Sequence, residues 1–484
     1  MPQPINSNSS PNRWQAVEAP RQEPEERIKN FKEVMLGYSK EQALAEASRC
    51  LTCPNPQCVS GCPVGVNIPA FIKSIKEKKY QEAISKIKEK NSLPAICGRV
   101  CPQEEQCQKY CIMGRKGESV SIGRLERFVA DLEQEIDTTA KQVKAWNGRK
   151  VAVVGAGPAG LTVAADLAKL GYRIAVYEAL HTAGGVLVYG IPEFRLPKHI
   201  VQKEVEYIKS LGVELHTDAL IGRLFTVEEL LANGFDAVFI ATGAGLPKFM
   251  GIRGENLCGI YSANEFLIRV NLMKSYKFPE HKTPIHIGKK IAVIGGGNVA
   301  LDSARCAIRL GAEQVSIVYR RSRDDMPARE EEISNAEEEG IHFKFLAAPT
   351  LFIADDHGQV KGMEYVTMKL TEPDAAGRSK PIPIKGSEVT LDVDTVIVAI
   401  GRTPNPIIQA TTKGLKTLTG GIIAIDRETG QTSLEAVYAG GDIATGEATV
   451  ISAMGSGRIA AQSIHNFLNC PKKETTLTPS ATLT

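Results

Sequence analysis

The chain has 484 residues, of which 43% are hydrophobic, and its 58 Lys+Arg against 55 Asp+Glu leave a formal charge of +3. That balance excludes a strongly basic nucleic-acid binder and a chain too polar to fold, and no apolar run reaches the ~18 residues of a membrane-spanning helix. The length is a prior for about three domains, and the N-terminus has no basic and apolar signal segment, so a cytoplasmic protein is expected.

Residues 1–25, rich in Pro, Asn, Ser and Gln, are expected to be a disordered tail. Residues 26–145 follow as a helical domain carrying eight of the eleven cysteines. The first four are Cys50-x2-Cys53-x4-Cys58-x3-Cys62-Pro63, and the second four are Cys97-x3-Cys101-x5-Cys107-x3-Cys111. Between them Phe71, Ile72, Ile75, Tyr80, Ala83, Ile84 and Ile87 recur at helical spacing and predict one buried helix face. A further helix is expected from Ser121 to Glu135.

Disulfides would require an oxidising compartment, and structural zinc prefers two short C-x2-C knuckles, a form only Cys50 and Cys53 take. The first group instead approaches the ferredoxin run C-x2-C-x2-C-x3-C-P, whose fourth Cys serves the other cluster of a pair. Spacing therefore gives Cys50, Cys53 and Cys58 to one [4Fe–4S] cluster and sends Cys62 to a second. The second group lends Cys111 back and keeps Cys101 and Cys107, with Cys97 as the fourth ligand on spacing alone. Cys258 and Cys306, among apolar neighbours, are expected to be buried small residues. Cys470 ends the last helix.

After Trp146-Asn147-Gly148, a connector, the chain duplicates. Val151-Ala-Val-Val-Gly-Ala-Gly-Pro-Ala-Gly160 resembles Ile291-Ala-Val-Ile-Gly-Gly-Gly-Asn-Val-Ala300, and Asp236-Ala-Val-Phe-Ile-Ala-Thr-Gly243 resembles Asp394-Thr-Val-Ile-Val-Ala-Ile-Gly401. Each glycine turn follows a strand and opens a helix, the setting in which free N–H groups and the helix dipole hold a pyrophosphate. The candidate binding residues are Gly155, Gly157, Pro158, Ala159, Gly160, Thr242 and Gly243 in the first module. In the second they are Gly295, Gly297, Asn298, Val299 and Ala300.

The residue ending the next strand separates the two sites. Glu178 can accept from ribose hydroxyls, whereas Arg320, followed by Arg321 and Arg323, suits a 2′-phosphate and predicts NADP(H). The first module should hold FAD, with Gly184 and Gly185 near the pyrophosphate. Val437-Tyr-Ala-Gly-Gly-Asp442 brings Gly441 and Asp442 to the ribityl chain, and Thr449 opens a helix whose dipole faces the flavin. The expected fold is α/β, with two Rossmann-like dinucleotide-binding domains, the second inserted into the first, preceded by an α-helical double [4Fe–4S] domain. The boundaries are 26–145 for the iron–sulfur domain, 146–285 and 395–470 for FAD, 286–394 for NADPH, and 471–484 for a second tail.

With these motifs in place, the chain resembles the small (β) subunit family of NADPH-dependent glutamate synthase. Relatives in that family include the ferredoxin:NADP oxidoreductase large subunit, a sulfide dehydrogenase subunit and the N-terminal half of dihydropyrimidine dehydrogenase. The resemblance rests on the cysteine pattern, the two glycine turns, Gly190-Ile-Pro-Glu-Phe-Arg-Leu-Pro197, Arg320-Arg-Ser-Arg-Asp-Asp-Met-Pro-Ala328 and Ala439-Gly-Gly-Asp442. It implies that Glu126, in Ile122-Gly-Arg-Leu-Glu126, joins Cys62, Cys101 and Cys107 on the second cluster and leaves Cys97 unligated. Cys50, Cys53, Cys58 and Cys111 then hold the first.

The resemblance further implies FAD, NADP(H) and two [4Fe–4S] clusters, with hydride passing from NADPH to FAD and single electrons leaving through the clusters. The implied partner is a glutamate synthase large subunit making L-glutamate. The alternative is a small FAD/[2Fe–2S] subunit or ferredoxin, as in the ferredoxin:NADP oxidoreductase and sulfide dehydrogenase branch. No side-chain acid or base is required, no nucleic acid or membrane is expected, and homo-oligomerisation is left open. A disulfide reductase is disfavoured, because no C-x2-C or C-x4-C adjoins either glycine turn, and the intact glycines and Arg320 argue against a non-enzymatic scaffold.

Overall fold

Short β-branched strands alternating with glycine turns and helices build two parallel five-stranded sheets with the same internal order. In the computed structural model, which describes residues 12–136, 143–373, 379–446 and 449–470, the first sheet runs Val437–Ala439, Ala237–Ile240, Lys150–Val154, Arg173–Tyr177, Glu214–His216. The second runs Ile260–Ser262, Thr395–Val398, Lys290–Ile294, Gln314–Tyr319, His342–Phe345. In each, the strand before the glycine turn is central and buried on both faces, as expected of a parallel sheet covered by helices. Among the described residues no helix is long and apolar enough to cross a membrane.

The duplication corrects the expected boundaries at 285/286 and 394/395. Thr395–Val398 pairs with Lys290–Ile294 and with Ile260–Ser262, so both flanking strands belong to the second module. The physical reason lies in the repeat itself: Asp394-Thr-Val-Ile-Val is the counterpart of Asp236-Ala-Val-Phe-Ile and takes the same place beside its own glycine-turn strand. Between the last parallel strand and Thr395, antiparallel pairing of Ala347–Ala354 with Val360–Leu370 and of Val360–Leu370 with Val389–Asp392 adds a layer the sequence reading did not anticipate.

In the helical domain the expected single apolar face is carried by two helices, Ile68–Lys76 and Tyr80–Lys88. Asn67 caps the first by accepting from Ala70 N–H, and Lys78, at φ +60°, turns the chain between them. Phe71, Ile72, Ile75, Ala83, Ile84 and Ile87 remain buried together. The helix expected at Ser121–Glu135 spans Ile122–Ile136. The described part of the expected N-terminal tail is ordered: Ala19 is buried, and the Ala16 and Val17 N–H groups donate to the Glu118 and Glu46 carboxylates at 2.6 and 2.7 Å. Cys258 is exposed rather than buried, since its backbone edges the loop at Gly358 and Val360, whereas Cys306 is buried. The expected tails at 1–11 and 471–484 lie outside the described residues.

A buried ionic core joins the three domains. Arg195 donates to Asp302 at 2.8 Å and pairs with Glu332 at 3.2 Å. Glu339 receives Arg305, Arg309 and Arg27 at 2.7, 2.7 and 2.8 Å. Phe194 lies beneath Arg309, 3.9 Å from its guanidinium carbon. Burial alone would raise the Glu339 carboxyl, but Arg305 and Arg309 outweigh it and hold it at about 2. A carboxyl depressed in this way stabilises the fold fully above its unfolded value near 4.5, and that contribution is lost as the pH falls toward about 2. The amount is about 3 kcal/mol. Glu339→Gln should flatten the acid limb of stability in that window, and it should lower stability at neutral pH by about 3–5 kcal/mol, since Arg309 loses its carboxylate while Arg305 and Arg27 keep only Glu332 and Glu338. Denaturant midpoints measured from pH 7 to pH 3 check both effects, and an unchanged acid limb contradicts them.

Candidate functional site

The cysteine loops are shaped by helix ends. Cys50 caps the helix Lys40–Arg49, Thr52 then takes φ +51°, and Cys58 sits in the short turn Gln57–Ser60. Cys97 lies inside the helix Pro94–Val100, with Cys101 as its cap, and Cys111 caps the 3-10 turn Ile112–Arg115. No disulfide joins any of the eleven cysteines.

Their mutual influence sorts them into two groups. Burial, then Cys111, Cys50 and Cys53, push the Cys58 thiol up to about 11. Cys50 is raised by burial, with Cys111 and Cys53 adding to it. Cys107 is raised by burial, then by Glu126 and Cys62. Cys62 is raised by burial, with Glu126 adding, and Cys101 by its hydrogen bond with Cys97, by burial, and by Glu126 and Cys107. These influences link Cys50, Cys53, Cys58 and Cys111, and they link Glu126 with Cys62, Cys101 and Cys107, while Cys58 also acts on Cys107 and Cys97 on Cys101. Buried thiols and a carboxyl that burial pushes up to about 7 are donors that a cationic cluster would hold deprotonated. Among the described residues no three such side chains converge on a single ion's position; a cubane takes one ligand per iron, so its ligands spread around it.

In the first dinucleotide module, the helix Pro158–Lys169 starts at Pro158 with Ala159 and Gly160 in its first turn. A Cβ on Gly160 would overlap the Gly155 carbonyl oxygen, so only glycine permits this packing. A Cβ on Gly157 would meet nothing within 4 Å, nor would one on Gly243, next to Thr242, which leaves space where a pyrophosphate fits. Glu178 is buried and accepts from Ala156 N–H at 2.8 Å and Leu180 N–H at 3.0 Å. Its two oxygens keep lone pairs for ribose hydroxyls. Gly184 and Gly185 take positive φ, and Gly185 faces Gly157. Asp442 follows Gly441 at the end of the strand Val437–Ala439, and Thr449 caps the helix Val450–Asn469 by accepting from Ser452 N–H. Ala448 lies outside the described residues.

The second module repeats the cradle. Gly295 takes φ +140°, Gly297 precedes the helix Asn298–Arg309, in which Val299 and Ala300 follow, and the Asn298 side chain accepts from Arg329 N–H at 3.2 Å. A Cβ on Gly297 would find its nearest neighbour at 3.9 Å. Arg320 follows the strand Gln314–Tyr319 and is exposed. The buried Nε of Arg321 has no hydrogen-bond partner among the described residues, a donor that a phosphate oxygen would satisfy. Arg323, by contrast, is occupied by Glu330 and Glu337.

Sequence reasoning missed several residues of the site. Burial raises the Tyr189 hydroxyl, and the charges of Arg402, Asp442 and Glu178 all act on it, so these groups meet around the flavin cradle. Phe194 and Arg195 were noted only as part of a motif, and their role at the module junction appears only in three dimensions. The flavin-domain helix Val450–Asn469 also meets the cysteine loops. A Cβ on Gly455 would come within 2.9 Å of the Pro63 carbonyl oxygen, and Met454 Sδ lies 3.5 Å from Cys97 Sγ. The small residue at 455 beside Cys62-Pro63 was the available signal.

Two family profiles match the chain. That of dihydropyrimidine dehydrogenase domain II, 4Fe-4S cluster, covers residues 27–138, and that of pyridine nucleotide-disulphide oxidoreductases covers residues 149–457. The chain is 39% identical over 435 residues to the NADP(+)-dependent formate dehydrogenase subunit beta of Moorella thermoacetica, which takes in 85% of this chain and 60% of that relative. It therefore spans about three fifths of that longer protein. It is 36% identical over 475 residues to the glutamate synthase [NADPH] small chain of Halomonas elongata, covering 96% of this chain and 100% of the relative. Among solved structures, FprA of Mycobacterium tuberculosis in complex with NADPH is similar in fold. Its TM-score is 0.55 at 20% identity, over 67% of this chain and 85% of FprA.

Proposed function

The chain belongs to the pyridine nucleotide-disulphide oxidoreductase family, among the NADPH glutamate synthase small chains and their relatives; from that premise we propose that it oxidises NADPH and delivers the electrons to a glutamate synthase large subunit for L-glutamate synthesis. It is an iron–sulfur flavoprotein oxidoreductase using FAD and NADP(H). Bound together, these cofactors supply hydride transfer at the flavin and single-electron transfer at the clusters.

The chain's own residues bind and orient. Gly157 and Gly297 leave room for the two pyrophosphates, Glu178 and Asp442 offer oxygens to FAD, and Arg320 with Arg321 offers cations to the NADPH 2′-phosphate. Cys50, Cys53, Cys58 and Cys111 would hold the first cluster, and Cys62, Cys101, Cys107 and Glu126 the second. The observation that carries the reading is the close approach of Gly455, in the helix opened by Thr449, to Pro63, the neighbour of Cys62. It sets the flavin module directly against Cys62-Pro63.

Exposed Leu51, Tyr110 and Ile112 flank Cys50 and Cys111 in sequence, and apolar exposure beside an electron exit suits a partner surface. The test is reconstitution. The purified chain with its candidate large subunit, glutamine, 2-oxoglutarate and NADPH should form glutamate. Failure there, with activity on joining a small FAD/[2Fe–2S] subunit, ferredoxin or a formate dehydrogenase catalytic subunit, would move the chain to the second reading, which its likeness to the formate dehydrogenase subunit favours.

A further inference from the structure

The loop between the helices Tyr80–Lys88 and Pro94–Val100 places one side chain between the two rivals for the second cluster. Asn91 is 1% exposed. Its Nδ2 donates to Glu126 Oε1 at 2.7 Å, and its Oδ1 accepts from Leu93 N–H at 2.9 Å and from the Cys97 thiol at 3.7 Å. The Leu93 N–H can only donate, so the oxygen of the amide must face it and the NH2 must face Glu126. The two helices that carry Cys97 and Glu126 cannot come closer together. A Cβ on Gly98 would lie 2.6 Å from the Arg127 backbone nitrogen, so they are already in closest contact.

Resting on the ligand set proposed above, we propose that Asn91 is a positioning residue that selects the fourth ligand of the second cluster. Its NH2 group holds the Glu126 carboxylate beside Cys62, Cys101 and Cys107. Its carbonyl engages Cys97 as a hydrogen-bond donor, a part that an iron-bound thiolate could not play. Cys97 is thereby held by Asn91, Met454 and Cys101 rather than by iron. Losing an outer contact of this kind typically costs roughly 10- to 100-fold in metal affinity or activity.

Two variants separate the contacts. Asn91→Asp keeps the acceptor for Leu93 and Cys97 and replaces only the donor to Glu126 with a carboxylate, so the fold is retained. Asn91→Leu removes both contacts. Both proteins should keep their flavin, their iron and an unaltered signal of the first cluster in electron paramagnetic resonance after dithionite reduction. The signal and midpoint potential of the second cluster should move. Adding Cys97→Ser to Asn91→Leu, which releases both rivals, should cut iron by about half, because Glu126 is no longer held and no thiol can take its place, whereas Cys97→Ser alone should lose none. An unmoved second-cluster signal in Asn91→Asp, or full iron in the double variant, overturns the proposal. Glu126→Ala distinguishes the two levels: if it leaves iron, signal and potential untouched, the ligand set fails, and if it alters them while Asn91→Asp does not, only the role of Asn91 fails.

Discussion

Cys107→Ser protein is expected to carry about half the iron and acid-labile sulfide of the parent chain and to keep its full flavin. Cys107 is buried and is assigned in the proposed ligand set to the second cluster, and a serine hydroxyl is a poor substitute for a thiolate on iron. Cys58→Ser should cause the same loss from the other group, with the complementary paramagnetic signal surviving. Neither residue is part of the dinucleotide cradles, so NADPH should still bleach the flavin at an undiminished rate in both variants. Transfer to the partner should fall to background in both. Iron analysis beside stopped-flow flavin absorbance measures the two effects separately, and full iron in either variant contradicts the grouping.

Arg320→Glu should carry the second large effect, a reversal of coenzyme preference. Arg320 occupies, in the second module, the strand-end position that Glu178 holds in the first, and it is exposed. Loss of a charge-assisted pair with a phosphate removes about 1.5–3 kcal/mol, roughly 10- to 100-fold in kcat/KM for NADPH. A carboxylate facing the 2′-phosphate adds repulsion, while for NADH it can accept from the ribose hydroxyls. The ratio of kcat/KM for NADPH to NADH should therefore fall by about 100-fold or more. Arg323→Ala should change that ratio far less, since Glu330 and Glu337 already hold its guanidinium. An unchanged ratio in the Arg320 variant would place the 2′-phosphate elsewhere.

What was legible in the sequence was local. Glycine turns between strand and helix impose their geometry through backbone sterics, so both dinucleotide cradles, the doubly wound class and the cysteine loops could be written down from spacing. The insertion of one module in the other was legible in outline. Its edges were not, because Ile260–Ser262 is a three-residue strand whose place is decided by pairing with Thr395–Val398. The antiparallel strands Ala347–Ala354 and Val360–Leu370 are joined by a turn signal, Asp355-Asp-His-Gly358, but only Leu346 separates the first of them from the parallel strand His342–Phe345, so the run reads as continuous. The order of residues 12–25 depends on Glu46 and Glu118, which lie far along the chain. The ionic core around Glu339 and the amide of Asn91 depend likewise on partners from distant helices. A single Asn or Arg has no periodicity to announce such a partner.

One measurement reaches the central claim of an NADPH-reduced flavin wired to two clusters. Under anaerobic conditions, the purified chain with its cofactors is mixed with a stoichiometric excess of NADPH, flavin absorbance is followed in time, and the sample is then frozen for electron paramagnetic resonance with iron and zinc analysis. The account predicts rapid bleaching, roughly eight irons per chain from two [4Fe–4S] clusters, and a paramagnetic signal from reduced cluster. Bound zinc without iron, or a flavin that NADPH leaves oxidised, would contradict it.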